Sequence, residues 1–182
     1  MSYKVTAFDL KLALLQYFRF KRQWVCVEEF RGADIIVDTG KEIIEVEVKI
    51  TKADLINGEK RKQWKHESYK GSGSYNRNKP NKFLFCVPEK LVDTALGWAS
   101  EINENYGVIG FDVELFEKSE GLGWHCLYLR IIKTAKRLHE GYSNDLRWAI
   151  AKRTSANIAT LTKEVHRLRN ELLTLKETQN EN

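Results

Sequence analysis

The strongest constraint on the fold is a nine-residue segment, residues 42–50 (EIIEVEVKI), in which apolar and charged side chains alternate. Alternation with period two is typical of a β-strand with one buried face. The apolar face carries Ile44, Val46, Val48 and Ile50, and the charged face carries Glu45, Glu47 and Lys49. Two further strand patterns precede it at residues 24–30 and 33–37, and a turn at 38–41 follows them. The sequence therefore predicts a three-stranded β-meander.

Helical patterns surround this meander, and further strands follow it. Residues 6–20 form an apolar helix pattern in which Thr6 and Asp9 fit a capping box. Further segments are a polar helix at 51–69, a loop at 71–81, a strand at 82–87, a helix at 88–105, a strand at 107–110 and a hairpin of strands 113–116 and 124–132. We expect an α/β fold, an αβββαβ sandwich with a mixed central sheet.

Length and composition are those of a globular protein. The 182 residues are 42% hydrophobic, enough for one domain with its own core and an appendage. No apolar run approaches the ~18 residues of a membrane span, and the first residues lack the pattern of a secretory signal. The three cysteines lie far apart among apolar neighbours, which is typical of buried thiols. We expect a cytoplasmic protein that has no membrane partner.

The positive charge is concentrated in one segment. The chain has 30 Lys and Arg against 25 Asp and Glu, a net charge of +5. Residues 60–82 carry eight basic residues and one acid, a net +7, so the rest of the chain is −2. Localised positive charge is typical of a polyanion-binding surface, and Trp64, Tyr69 and Tyr75 could stack on bases. A solvated lysine-rich helix and loop is the alternative interpretation.

The C-terminal segment has a different pattern. Six apolar residues follow the 3-4-3-4-3 spacing of a coiled coil: Ile158, Leu161, Val165, Leu168, Leu172 and Leu175. Three heptads are marginal on their own, so this helix either pairs with another copy or folds back onto the domain. We expect a homo-oligomer, a dimer or larger, formed through residues 151–178. The chain then divides into a domain at 1–140 and a C-terminal coiled-coil helix at 141–182.

The register of the meander decides which charged side chains meet. With a loop of two residues (39–40) or four (38–41), paired positions sum to 79, so Asp34 lies opposite Glu45 and diagonal to Glu47. Diagonal neighbours are about 7–8 Å apart, a span that two carboxylates can close around a cation. A three-residue loop would put Asp34 on the other face, and a merely solvated face is the alternative. Under the first two registers Asp34, Glu47 and Lys49 converge.

Two neighbouring carboxylates repel each other unless a cation or a proton lies between them. Oxygen ligands with open positions suit Mg²⁺, which also accepts phosphate oxygens. Lys49 could hold or deprotonate an attacking water and offset charge in the transition state. Next to a segment of charge +7, this group predicts hydrolysis of phosphodiester bonds.

These residues resemble a known signature. Ala33-Asp34, followed after twelve residues by Glu47-Val48-Lys49, is similar to the D…(D/E)xK motif of the PD-(D/E)XK nuclease superfamily. The small bacterial and phage branch that includes the MmcB-like DNA-repair proteins is the most similar. Matching stretches are residues 31–34 (RGAD), 52–55 (KADL), 65–69 (KHESY) and 80–88 (PNKFLFCVP). The resemblance covers residues 6–135 and implies a restriction-endonuclease-like fold; Ala33 replaces the usual proline.

The resemblance implies a Mg²⁺-dependent deoxyribonuclease. Asp34, Glu47 and the backbone carbonyl of Val48 would bind Mg²⁺ or Mn²⁺, and Lys49 would be catalytic. The family often adds an upstream acid, for which Glu28, Glu29 and Asp9 are candidates. We favour Glu29, because Glu28 would share a strand face with Cys26 and Trp24.

DNA is the expected partner. Lys65, His66 and Tyr69 match the helix motif, where they would contact phosphate or orient the metal site. The residues that we predict to bind DNA are Lys60, Lys62, Lys65, His66, Tyr69, Arg77 and Lys79. Two other functions stay open: a non-catalytic DNA-binding or assembly protein that keeps the nuclease fold, and a phosphodiesterase that acts on RNA or nucleotides.

Overall fold

A computed structural model describes residues 4–70, 79–118, 124–141 and 143–180, with side chains described as far as residue 175. Within these residues the chain forms six strands, five α-helices and four short helical turns. The strands are β1 Val25–Phe30, β2 Ala33–Asp38, β3 Ile43–Val48, β4 Lys82–Pro88, β5 Gly107–Phe111 and β6 Leu129–Lys133. The helices are α1 Ala7–Gln16, α2 Gln63–Lys70, α3 Val92–Ile102, α4 Val113–Lys118 and α5 Asn144–Asn180. The turns are π-helical at Tyr17–Lys21 and Asp54–Gly58, and 3₁₀-helical at Glu89–Leu91 and His125–Tyr128.

The strands form one mixed sheet in the order β1-β2-β3-β4-β5-β6. β1, β2 and β3 are antiparallel, as the predicted meander requires, whereas β4 runs parallel to both β3 and β5. β6 closes the sheet antiparallel to β5. The expected α/β class with a mixed central sheet is therefore confirmed.

Helices cover both faces of the sheet. α1 begins at a capping box in which Thr6 donates two hydrogen bonds to the carboxylate of Asp9. Its Leu10 and Leu14 pack on the apolar face of β3. On the opposite face, α2 and α3 pack against β4, where Tyr69, Phe83, Phe85, Ala95 and Ala99 share a core. This second layer covers the charged face of β3.

The predicted register between β2 and β3 is wrong by two residues. Ile36 pairs with Glu45 and Asp38 with Ile43, so paired positions sum to 81. Asp38 stays in its strand because its carboxylate accepts a hydrogen bond from the Gly40 amide, and the turn then closes between Thr39 and Glu42. A shift of two residues leaves every side chain on its predicted face.

The predicted C-terminal hairpin is also wrong. Residues 113–116 belong to α4, which Asp112 caps by accepting a hydrogen bond from the Leu115 amide at 3.0 Å. α4 buries Phe116 against Phe111, and this burial outweighs a short strand-like pattern. The predicted strand at 124–132 shortens to β6, preceded by a 3₁₀ turn.

The long C-terminal helix α5 is anchored at one end only. Leu146 and Ile150 are fully buried and share a core with Val27, Ile36 and Ile43 of the meander. Thirty-seven residues of helix extend for about 55 Å, so most of α5 continues beyond this core. None of the helices in the described ranges has the length and apolarity needed to span a bilayer.

Candidate functional site

The charged face of β3 meets a lysine of α2 and a lysine of the turn before it in the interior of the protein. Glu45 and Glu47 are almost fully buried, with Glu47 only 1% exposed. Lys65 pairs with both carboxylates and lies 2.6 Å from Glu47 Oε1, and Lys62 Nζ lies 2.7 Å from Glu47 Oε2. Both oxygens of Glu47 therefore have a lysine ammonium as counter-ion.

Lys49 directly follows β3, and its side chain reaches a third buried carboxylate. Its Nζ lies 2.8 Å from Glu59 Oε1, 3.6 Å from Glu47 Oε2 and 3.8 Å from Asp54 Oδ1. Glu59 comes to this position because the π-helical turn Asp54–Gly58 carries the chain back over β3. We call the six residues Glu45, Glu47, Lys49, Glu59, Lys62 and Lys65 the β3–α2 cluster. Burying so many charges is costly unless they are paired, which marks the cluster as a candidate functional site.

Three hydrogen bonds hold the cluster in place from the side of α2. The His66 ring joins the Tyr106 hydroxyl and Glu59 Oε2, each at 2.9 Å. The Tyr69 hydroxyl donates to Glu45 Oε2 at 2.7 Å. His66 and Tyr69 are themselves buried, so they position carboxylates within the fold.

The ionisation of the cluster follows from burial and pairing. Burial tends to raise the pKa of Glu59, but the hydrogen bond with His66 and the charge of Lys49 outweigh it and lower the pKa to about 2. Burial tends to lower the pKa of Lys49, yet Glu59 and Glu47 raise it above the usual value. Burial raises the pKa of Glu45 despite the charge of Lys65. Lys49 is thus held as a cation, suited to stabilising negative charge and unsuited to removing a proton.

Asp34 approaches this cluster from β2. Its Oδ2 accepts a hydrogen bond from the Val48 amide at 2.8 Å, and its Oδ1 lies 3.1 Å from Lys11 Nζ. Lys11, on α1, also pairs with Glu29. Glu29 has a φ of 48°, in the left-handed region, which interrupts the regular pairing of β1 with β2.

The structure therefore brings the predicted catalytic residues together as two adjoining groups. Glu47 and Lys49 belong to the β3–α2 cluster, whereas Asp34 and Glu29 share Lys11 and touch the cluster through the backbone of Val48. The carboxylate of Asp9, another candidate acid, accepts the hydrogen bonds of Thr6 at the start of α1. Within the described ranges, no three His, Cys, Asp or Glu side chains are grouped as a metal site.

The predicted DNA-binding residues divide by burial. Lys60 is exposed and lies near the Trp98 ring, and Lys62 is half-buried. Lys65, His66, Tyr69 and Lys79 are buried, and Arg77 lies outside the described residues. Trp64, on the outer face of α2, is 73% exposed. Among the described residues of the +7 segment, the accessible part therefore includes the outer side of α2 and the turn before it.

Three residues of the site were missed from the sequence: Lys11, Glu45 as an ion-pair partner, and Glu59. Glu45 carried a signal, because it shares a strand face with Glu47. Lys11 and Glu59 carried none, because they reach the site only through the docking of α1 and the path of the turn at 54–58.

Comparisons with known proteins support the fold alone. No protein-family model and no curated protein matches the sequence. Among solved structures, the chain is similar to the SPO1766 protein of unknown function from Silicibacter pomeroyi, with a TM-score of 0.58 and 15% sequence identity. The match covers 90% of this chain and 94% of the other. Nearly the whole chain therefore shares its fold with that protein.

Proposed function

We propose that the protein is a metal-dependent endonuclease that hydrolyses DNA phosphodiester bonds, on a restriction-endonuclease-like arrangement of the sheet. The observation that carries the proposal is the hydrogen bond from the Val48 amide to Asp34. It joins Asp34 to the middle of the Glu47-Val48-Lys49 motif at neighbouring ends of β2 and β3. Lys62, in the turn before α2, lies 2.7 Å from Glu47 Oε2 with part of its side chain exposed, and it supplies positive charge for a phosphate backbone.

The residues present fit Mg²⁺ or Mn²⁺ by their chemistry. Asp34 and Glu47 offer four anionic oxygens, and the Val48 carbonyl would add a neutral one. All four carboxylate oxygens now contact N–H groups, so a bound metal would share these oxygens with an N–H group or displace an ammonium from one of them. Lys62 is the one placed to leave, because 31% of its side chain is exposed. When bound, a divalent cation would polarise the phosphate and make a bound water more acidic.

The chain's own side chains then have distinct tasks. Lys49, held protonated by Glu59 and Glu47, would stabilise the negative charge that develops on the phosphate. Lys62, once released from Glu47, would pair with the DNA backbone. Lys65 remains buried between Glu45 and Glu47 and fixes the direction of the Glu47 carboxylate. His66 does the same for Glu59, which in turn positions Lys49.

A second function is favoured by one observation. Because both oxygens of Glu47 are already neutralised by Lys62 and Lys65, the cluster is complete without a metal. A non-catalytic DNA-binding or assembly protein that retains the nuclease fold would have such a self-sufficient cluster. In that case Asp34 and Glu47 are dispensable for DNA binding, and affinity depends on exposed cations such as Lys60.

Cleavage assays on duplex, single-stranded, flapped and junction DNA test the nuclease proposal, with Mg²⁺ or Mn²⁺ and with chelator. Lys49→Met keeps the length of the side chain and removes its charge, and we expect cleavage to fall by about 10²–10³-fold or more. Lys52→Met, at an exposed position three residues away, is the matched control and should cleave normally. Thermal unfolding of each variant separates loss of chemistry from loss of fold. Absence of metal-dependent cleavage on all four DNAs would refute the proposal.

Binding measurements separate the two functions. If the protein is a nuclease, calorimetry with Mn²⁺ alone detects binding that Glu47→Gln abolishes, whereas both proteins still bind DNA. If it is a binding protein, Glu47→Gln changes neither measurement, and DNA affinity falls steeply with salt. Comparing cleavage of matched DNA and RNA strands distinguishes a deoxyribonuclease from a phosphodiesterase that acts on RNA.

A further inference from the structure

The distal part of α5 exposes an apolar stripe along one side. Ile150 is the last fully buried residue among the α5 side chains that the structure describes, and the helix runs on from it to Asn180. The stripe consists of Ile158, Leu161, Val165, Leu168, Leu172 and Leu175, whose exposed fractions lie between 45% and 65%. A series of large apolar side chains this exposed is typical of an interaction surface. Among the described residues, the stripe does not fold back onto the domain, which was the alternative that the spacing left open.

The residue types along the stripe indicate how many helices pair. With Ile158 at heptad position a, the a positions hold Ile158, Val165 and Leu172, and the d positions hold Leu161, Leu168 and Leu175. β-branched residues at a with leucine at d favour two parallel strands over three or four. Two of the three a positions follow this rule, and all three d positions do.

The charges that flank the stripe indicate the direction of pairing. Glu164 and Glu171 occupy g positions, and Arg169 occupies an e position. In a parallel, in-register pair, each g residue faces the e residue five positions later on the other helix, which places Glu164 opposite Arg169 of the second copy. In an antiparallel pair, g residues face g residues, so the glutamates would oppose one another.

We propose that the distal half of α5 forms a parallel, in-register, two-stranded coiled coil with a second copy of this chain. The proximal part of α5 stays packed on the meander through Leu146 and Ile150. Because the two helices are parallel, both α/β domains lie at the same end of the coiled coil. The dimer is expected whether or not the chain cleaves DNA.

The mass of the oligomer in solution tests the number of helices in the coiled coil. Light scattering on the full chain should give twice the chain mass of 21.2 kDa. Leu168→Glu puts a charge at a d position and should raise the dissociation constant by at least about a hundredfold. Leu173→Glu, the same substitution at position b, is the matched control and should leave the dimer intact. A monomer, a trimer or a tetramer for the wild-type chain would overturn the proposal, as would equal effects of the two variants.

A cysteine cross-link tests the direction. Leu161 lies near one end of the stripe, so two copies of it meet only when the helices are parallel and in register. Leu161→Cys should form a covalent dimer on mild oxidation, and Asn170→Cys, at the outer position f, should not. The wild-type chain is the background control, because Cys86 and Cys126 are buried and Cys26 is half-buried. A dimer by mass that Leu161→Cys does not cross-link would refute the parallel arrangement.

Discussion

Glu59→Gln tests the physical account of the β3–α2 cluster. The substitution keeps the shape of the side chain and removes the charge that lies 2.8 Å from Lys49 Nζ. Glu47 and Asp54 remain near Lys49, but at 3.6 and 3.8 Å. His66 also loses its charged hydrogen-bond partner. We expect the folded state to be destabilised at neutral pH, since Lys49 stays buried with weaker compensation.

Two separate arguments give a similar size for the destabilisation that Glu59→Gln causes. Removing one partner of a buried ion pair costs about 3–5 kcal/mol. Independently, lowering the pKa of Glu59 from 4.5 to about 2 corresponds to about 3 kcal/mol of stability at neutral pH, at about 1.4 kcal/mol per pKa unit. The expected loss for Glu59→Gln at pH 7 is therefore about 3 kcal/mol in the free energy of unfolding.

The contribution of Glu59 to folding stability should decrease as the pH falls. Because the pKa of Glu59 is lower in the folded state than in the unfolded state, its contribution is complete well above pH 4.5 and decreases as pH falls toward 2. The wild-type protein should lose about 1 kcal/mol of this contribution by pH 4 and about 2 kcal/mol by pH 3. Glu59→Gln lacks the titrating group, so the difference between the two proteins should shrink by the same amounts.

Urea unfolding followed by circular dichroism at pH 7, 5, 4 and 3 measures both effects, provided that the m-values of the proteins agree. Glu67→Gln, an exposed glutamate on α2, is the matched control and should change stability by less than about 0.5 kcal/mol. A loss below about 1 kcal/mol at pH 7 would contradict the assigned role of Glu59. A difference from wild type that stays constant between pH 7 and pH 4 would contradict the lowered pKa.

Two further substitutions test how the sheet is held together. The Asn81 side chain accepts a hydrogen bond from the Ile43 amide at 2.7 Å and donates to two carbonyls of the segment before α5. Asn81→Ala should therefore lower the free energy of unfolding by about 3 kcal/mol, measured with urea, and a loss under about 1 kcal/mol would contradict this role. Gly107→Ala places a Cβ 2.5 Å from Leu84 Cδ2 and should lower Tm by roughly 5 °C. Gly97→Ala, in α3 with open space around it, should instead raise Tm, and equal shifts for the two variants would show that crowding is not the cause.

Several features of the fold were readable from local pattern. The alternation in β3 put Glu45, Glu47 and Lys49 on one face, and this assignment survives the two-residue error in register because faces repeat with period two. The capping box of Thr6 and Asp9 predicted the start of α1, since both partners lie within one helical turn. Errors occurred where a weak local signal competed with packing, as at α4, whose Phe116 is buried against Phe111 and Tyr128.

The sequence by itself determined which strand carries the candidate site and which charged groups lie on the polar face of that strand, because those properties depend on neighbours along the chain. It also determined the heptad stripe of α5. The tertiary structure alone decided that Lys62 and Lys65 neutralise Glu47, that Glu59 holds Lys49 as a cation, and that Lys11 links Asp34 to Glu29. These pairs join different layers of the fold, so the pairs depend on how α1 and α2 dock on the sheet. No spacing along the chain encodes that docking.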